Sequence, residues 1–185
     1  MPPAVPVDAV NQFNPPMNEQ PMDQETTVVE SPPSLNGAVP DFSAAMTGNK
    51  TFKLSDYKGK NIVLYFYPKD NTPGCTTEGL RFRDLFPQFQ QANAEIFGVS
   101  RDSIRSHEGF KAKLGMPFEL ISDPDETVCN MFDVMKMKNM YGKLTRGVDR
   151  CTFAIDGSGR LVKEWRGVKV PGHVDEVLEF MKAIV

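Results

Sequence analysis

No apolar run in the 185-residue sequence is long enough to cross a bilayer, and no secretory h-region follows Met1. The first 30 residues contain no arginine, which argues against a mitochondrial transit peptide. A soluble, cytoplasmic protein is expected. Cysteine is scarce, with three residues at wide and uneven spacing, and neither a Cys-x-x-Cys nor a His-x-x-x-His pair accompanies them. A disulfide framework and a zinc site are therefore not indicated, and a reducing compartment is the simpler reading. Charge of one sign is also lacking: the formal net charge of -3 gives no reason to expect a nucleic acid or a membrane surface as partner. The slight acidity has one source. Residues 1 to 40 carry Asp8, Glu19, Asp23, Glu25 and Glu30 with no lysine or arginine, so the remainder has two more positive charges than negative.

The length suggests one domain with enough apolar content for a substantial core. Residues 1 to 35 hold most of the prolines among Asn, Gln, Met and acidic residues, without a period of 2.0 or 3.6. They are read as a disordered tail, with a docking segment for a partner as the alternative, and residues 36–185 as the folded domain. Asp41 to Leu54 reads as a hairpin turning at Gly48-Asn49. Asn61 to Phe66 is an unbroken apolar run rich in β-branched and aromatic residues, which predicts a strand buried on both faces and stopped by Pro68. Farther on, Glu95–Ser100 and Phe118–Ile121 read as strands, and a helix runs from a Ser103 cap to Leu114. A second helix is expected from Asp123-Pro124 to about Phe132, and then a Met-rich loop. Arg150–Ile155 and Leu161–Trp165 pair across Asp156-Gly157-Ser158-Gly159, and His173–Ile184 closes the chain with an amphipathic helix. The alternation predicts an α/β fold: a central mixed β-sheet flanked by helices.

The turn after the buried strand carries the chemistry. Thr72-Pro73 is a helix start, because a threonine hydroxyl can cap a free amide and proline at the first position loses no hydrogen bond. Cys75 then falls in the first turn, among unpaired amides at the positive end of the helix dipole, where the thiolate is favoured. A buried packing cysteine is the commoner case, but Thr72, Gly74, Thr76, Thr77 and Glu78 are too polar for a core seam. The helix should carry Leu80, Phe82, Leu85, Phe86 and Phe89, with Pro87 warning of a kink or an early end.

Pro68, Thr72 and Cys75, spaced Pro-x-x-x-Thr-x-x-Cys, resemble the peroxidatic motif of the peroxiredoxins. The wider Tyr67-Pro68-Lys69-Asp70-Asn71-Thr72-Pro73-Gly74-Cys75-Thr76-Thr77-Glu78 is similar to the bacterioferritin comigratory protein (PrxQ) branch, as are Met140-Tyr141-Gly142-Lys143 and Asp149 to Asp156 in the same order. The likeness spans roughly residues 35 to 185. It implies a thioredoxin-like fold and a thiol-dependent peroxidase that reduces hydrogen peroxide and organic hydroperoxides, without metal, haem or flavin. Cys75 would be the nucleophile that becomes a sulfenic acid; Arg150 would be the cation beside the sulfur and the peroxide. Thr72 would hydrogen-bond the thiolate and substrate, and Pro68 would shield the cysteine from water. Taken alone, Thr72 is a helix cap, Pro68 a strand end and Arg150 a solvated edge residue. Glu78 is expected in a surface or supporting role.

One departure is informative. Many members of the branch place a resolving cysteine five residues after the peroxidatic one, and here that position is Leu80. Cys129 shares a helical stripe with Val128 and Phe132, and Cys151 alternates in phase with Phe153 and Ile155, opposite to the face Arg150 would use. Both read as structural thiols, so a 1-Cys cycle is expected, with an external thiol reductant (thioredoxin, glutaredoxin or glutathione); Cys129 delivered by local unfolding is the alternative. A monomer is expected, a dimer being the other option. Met131, Met135, Met137 and Met140 read as loose packing, and His107 and His173 as solvated or terminal residues. A redox-sensing binding protein, oxidised once at Cys75 without turnover, is the rival function. A disulfide oxidoreductase is disfavoured, because Glu78 stands where a Cys-x-x-Cys motif needs its second thiol.

Overall fold

The computed structural model describes residues 31–185, so the first 30 residues of the expected disordered tail lie outside the described residues. A hairpin opens the fold: β1 (Ser43–Met46) pairs with β2 (Lys50–Lys53) around Gly48 and Asn49, both at positive φ. After a 3-10 turn at Leu54–Tyr57 come β3 (Asn61–Phe66), α1 (Pro73–Gln91) and β4 (Ala94–Ser100). Helix α2 (Ile104–Leu114), β5 (Glu119–Ser122) and a short α3 (Thr127–Met131) follow. The C-terminal part contains β6 (Met135–Met140), β7 (Lys143–Val148), β8 (Cys151–Ile155), β9 (Leu161–Trp165) and α4 (His173–Ala183).

Seven strands make one sheet in the order β2-β1-β5-β4-β3-β8-β9. β3, β4 and β5 run parallel, and β8 pairs antiparallel to β3, so the sheet is mixed, as the alternation of elements predicts. Every residue of β3 is buried. Its side chains alternate between two cores: Val63 and Tyr65 pack under α1, α2 and α4, whereas Ile62, Leu64 and Phe66 face the layer that holds Phe52, Phe132 and Phe153. That strict division follows from the two-residue period of a strand. The sheet is a wall between two apolar layers.

Several local expectations are corrected. Pro87 neither ends nor interrupts α1, which continues to Gln91. Phe82, Leu85 and Phe89 are buried on both sides of that proline, and their packing outweighs a local cost of about 3 kcal/mol. The helix expected from Asp123 begins at Thr127 instead, and the Asp123 carboxylate caps it from outside by accepting from the amides of Val128 at 3.1 Å and Cys129 at 2.7 Å. The Met-rich stretch is not a loop but a hairpin of β6 and β7, turning at Tyr141-Gly142 with φ of 54° and 82°. Two successive positive φ values suit the twist of a two-residue hairpin. The expected cap at Ser103 is present, accepting from the Ser106 amide at 3.1 Å, and Gly115 ends α2 in a left-handed conformation.

Candidate active site

The site is assembled where β3 ends. Tyr67 continues the strand by donating its amide to the Val99 carbonyl at 3.0 Å, and Pro68 then turns the chain away. Asn71 adopts a left-handed φ of 62°, and Thr72 in extended conformation leads into α1 with Pro73 at its first position. The Thr76 amide closes the first turn on the Thr72 carbonyl at 2.9 Å, so the amides preceding it belong to the unsatisfied end of the helix. Cys75 stands there, 2% exposed. The Thr72 hydroxyl does not cap α1; it donates to the Lys69 carbonyl at 2.7 Å and closes the loop on itself. No hydrogen bond joins Thr72 to Cys75 among the described residues. Pro68 is half-buried at the start of the same loop.

Strand pairing explains how Arg150 reaches a cysteine 75 residues away. β8 runs antiparallel to β3 with Cys151 opposite Phe66. The residue before β8 therefore lies beside the end of β3, and the pleat turns it to the face opposite Cys151, toward α1. From there Arg150 donates through Nη2 to Cys75 Sγ at 3.4 Å and through Nη1 to Glu78 Oε1 at 2.7 Å. Gly74 makes room for the fork: a Cβ there would lie 3.1 Å from Nη2. Burial works against the Arg150 charge, but Glu78 and the sulfur more than offset it and raise its pKa.

Glu78 corrects the expectation of a surface role, because its side chain is fully buried. The spacing Cys75, Glu78, Gly79, Phe82 is one helical face turned into the core, so the period itself contained the signal. Burial pushes the Glu78 carboxyl up to about 7, with Arg150 pulling the other way. Its Oε2 and the nearby Tyr65 hydroxyl are buried without a hydrogen-bond partner among the described residues. A carboxyl raised from 4.5 binds its proton more readily folded than unfolded, so its effect on stability is lost as pH rises through 4.5 to 7. Glu78→Gln is expected to flatten that loss. Urea midpoints of parent and variant between pH 5 and 8 check this: the variant's midpoint should gain on the parent's toward pH 8.

The other two thiols lie in the opposite layer from Cys75. Burial and the adjacent Asp123 push the Cys129 thiol far up. Burial and Asp149 push Cys151 up to about 11. Both histidines correct the sequence expectation. His107 is wholly buried between Asp70 and the Ile121 carbonyl, and His173 is buried against the Thr152 hydroxyl at 2.8 Å, where desolvation lowers it to about 4. A hollow lined by Val39, Leu54, Tyr57, Ile62 and the Asp156–Gly159 turn opens at the far end of β3 and contains none of the site residues.

A thioredoxin-like sheet with one cysteine in the first turn of a helix, bridged by a guanidinium to a buried carboxylate, defines a thiol-dependent redox enzyme. Residues 35–164 match the AhpC/TSA family, and the chain belongs to it. Its relatives there are peroxiredoxins of the Bcp, or PrxQ, type. Peroxiredoxin Bcp of Xanthomonas campestris pv. campestris is 51% identical over 149 residues, which takes in 80% of this chain and 93% of that protein. Peroxiredoxin Bcp of Bacillus subtilis is 52% identical over 143 residues, 77% of this chain and 91% of that one. Among solved structures, a cysteine-to-serine mutant of Xylella fastidiosa PrxQ superposes with a TM-score of 0.77 at 48% identity, covering 83% of this chain and 98% of that chain. A structure of Xanthomonas campestris Bacterioferritin Comigratory Protein, described for its alkyl peroxide reduction activity and trapped intermediate/ligand complexes, gives 0.73 at 51% identity, covering 77% and 90%. The protein is accordingly a thiol peroxidase of the peroxiredoxin class. No helix among the described residues is long and apolar enough to cross a membrane.

Proposed function

We propose that Cys75 is the peroxidatic nucleophile of a 1-Cys cycle that reduces hydrogen peroxide and organic hydroperoxides at the expense of an external thiol. The observation that carries this reading is the Arg150 fork, which places a fixed positive charge and N–H donors against the Cys75 sulfur. The Cys75 thiolate attacks the terminal oxygen of R–O–O–H. An S–O bond forms, the O–O bond breaks, and the electron pair leaves on RO⁻, which takes a proton to become ROH. Arg150 faces the region where that negative charge develops, and donors held in place before the reaction stabilise it without reorganising. In this reading Thr72 and Pro68 are substrate-facing members of the site, Thr72 placing the peroxide and Pro68 excluding water.

The cysteine sulfenic acid is then attacked by an external thiol, releasing water and leaving a mixed disulfide; a second thiol restores Cys75 and departs as the oxidised reductant. Thioredoxin, glutaredoxin and glutathione are the reductants this chemistry admits. The position of Cys129 and Cys151 behind the sheet favours such an outside thiol over either residue, since a disulfide needs Cα atoms within about 7 Å. The named alkyl peroxide activity of the Xanthomonas relative supports organic hydroperoxides as substrates.

One equivalent of peroxide followed by mass spectrometric mapping tests the cycle. The expected product is a sulfenic acid on Cys75, converted to a mixed disulfide when a small thiol is added, with Cys129 and Cys151 unmodified. A Cys75 to Cys129 bridge would overturn the single-thiol reading.

A further inference from the structure

The loop that presents Pro68 and Thr72 is pinned by a buried polar cluster that the reaction does not use. Asp70 lies within that loop and is buried. Its Oδ1 accepts from the Tyr67 hydroxyl at 2.7 Å, and its Oδ2 accepts from the Ser106 hydroxyl at 2.8 Å and lies 2.7 Å from His107 Nδ1. The Asp70 amide donates to Asp102 Oδ2 at 3.0 Å. On its other side, His107 Nε2 is 2.9 Å from the Ile121 carbonyl. A carbonyl only accepts, so Nε2 bears a proton.

Asp70, Asp102 and His107 bring ligand atoms within 4.8 Å of one another, as a cation site would. Those atoms are already spent on protein partners: both ring nitrogens of His107, both oxygens of Asp70, and the Asp102 oxygen that also takes the Ser100 hydroxyl. The cluster is thus a joint. It ties the β3–α1 loop to α2 and, through His107, to β5. What it holds is conformationally costly, because Asn71 sits at φ of 62° immediately after Asp70.

We propose that Asp70 and His107 are positioning residues for the peroxidase reaction: their buried contact fixes the 68–72 loop, and so the approach of a hydroperoxide to Cys75. Neither touches the reacting atoms. The inference rests on Cys75 being the peroxide-reactive thiol. A displacement of the loop by about 1 Å is enough to slow an in-line attack on the order of a hundredfold, whereas a small alkylating agent that needs no fixed approach feels it little.

Asp70→Ala combined with His107→Phe removes the contact without leaving one partner buried alone. The experiment measures the rate of tert-butyl hydroperoxide with Cys75 by rapid mixing, and alkylation of Cys75 by iodoacetamide, in parent and variants. The double variant is expected to lose at least about 30-fold toward the peroxide while its alkylation stays within about threefold. Asp70→Asn is the conservative control: it keeps the size, the acceptor for Tyr67 and a donor toward His107 Nδ1 and gives up only the acceptor for the Ser106 hydroxyl, so its peroxide rate should lie between those of the parent and the double variant. Should the double variant fail to fold, His107→Gln replaces it with the same expectation, since both amide donors sit on one nitrogen whereas Asp70 and the Ile121 carbonyl are met by different nitrogens of the ring. A folded double variant, or a folded His107→Gln, that keeps the parent's peroxide rate, or in which both reactions fall by the same factor, overturns the inference. A parent whose Cys75 does not react with peroxide would overturn the proposed function instead.

Discussion

Cys75→Ser is expected to remove hydroperoxide consumption, lowering the rate by at least about 10³-fold, while the variant keeps its fold. An alcohol in place of the thiol is nearly the same size, so α1 and the core around Tyr65 and Phe82 have nothing to repack. What disappears is the nucleophilic sulfur beside Arg150, and no neighbouring group can replace it. Cys129 and Cys151 face the other layer of the sheet, and burial disfavours their thiolates. The measurement is loss of tert-butyl hydroperoxide with excess dithiothreitol, corrected for the thiol's own reaction. Residual turnover near the parent's would mean that one of the other thiols attacks peroxide, and the assignment of Cys75 would be wrong.

Arg150→Met should cost about 10²- to 10³-fold in kcat/KM for the peroxide, the range found when one donor to a developing oxyanion is removed. Methionine keeps part of the side chain's apolar length and deletes the guanidinium that now donates to both Cys75 and Glu78. Breaking a buried ion pair by removing one partner costs about 3–5 kcal/mol when the survivor stays charged. Here the survivor has another course: burial already raises Glu78 to about 7, and without Arg150 it rises further and takes up a proton. Arg150→Met with Glu78→Gln should therefore be more stable than Arg150→Met above pH 7 and equally slow toward peroxide. Thermal midpoints and kcat/KM measured at pH 7.5 separate the two effects. An Arg150→Met enzyme as fast as the parent would show that the guanidinium does not serve the reaction.

Most of the fold was legible because its strands and helices show their periods directly. Asn61–Phe66 has no polar break and is buried throughout, and His173–Ala183 buries Val174, Val177, Leu178 and Met181 as their helical spacing requires. The β6–β7 hairpin shows no period for the opposite reason. It stands outside the seven-stranded sheet, with Met137 and Leu144 exposed and only its base at Met135 and Val148 against the core, so no core-facing side imposes an alternation along it. Cys75 was legible from the helix start, whereas Arg150 became legible only through family resemblance, since its position depends on the register of β8 against β3. The surface alternative for Glu78 and the solvated one for His107 fail because charged and polar residue types are mostly exposed, a prior that buried pairing overrides, while the supporting alternative for Glu78 fits its grip on Arg150. Gly74 carries no signal in the sequence for its part in the site, because what would crowd a Cβ there is the approach of a guanidinium from a distant strand.

The seven-stranded wall has a consequence for the enzyme's tolerance of its own substrate. In the proposed single-thiol cycle, with no thiol on its side of the sheet, an oxidised Cys75 waits for a visitor, and how long it waits depends on the supply of reductant rather than on any motion of the chain. During that interval a second peroxide molecule can carry the sulfur on to the sulfinic acid, an irreversible step for most proteins. Scarcity of reducing thiol, more than abundance of peroxide alone, would then decide when the molecule is retired.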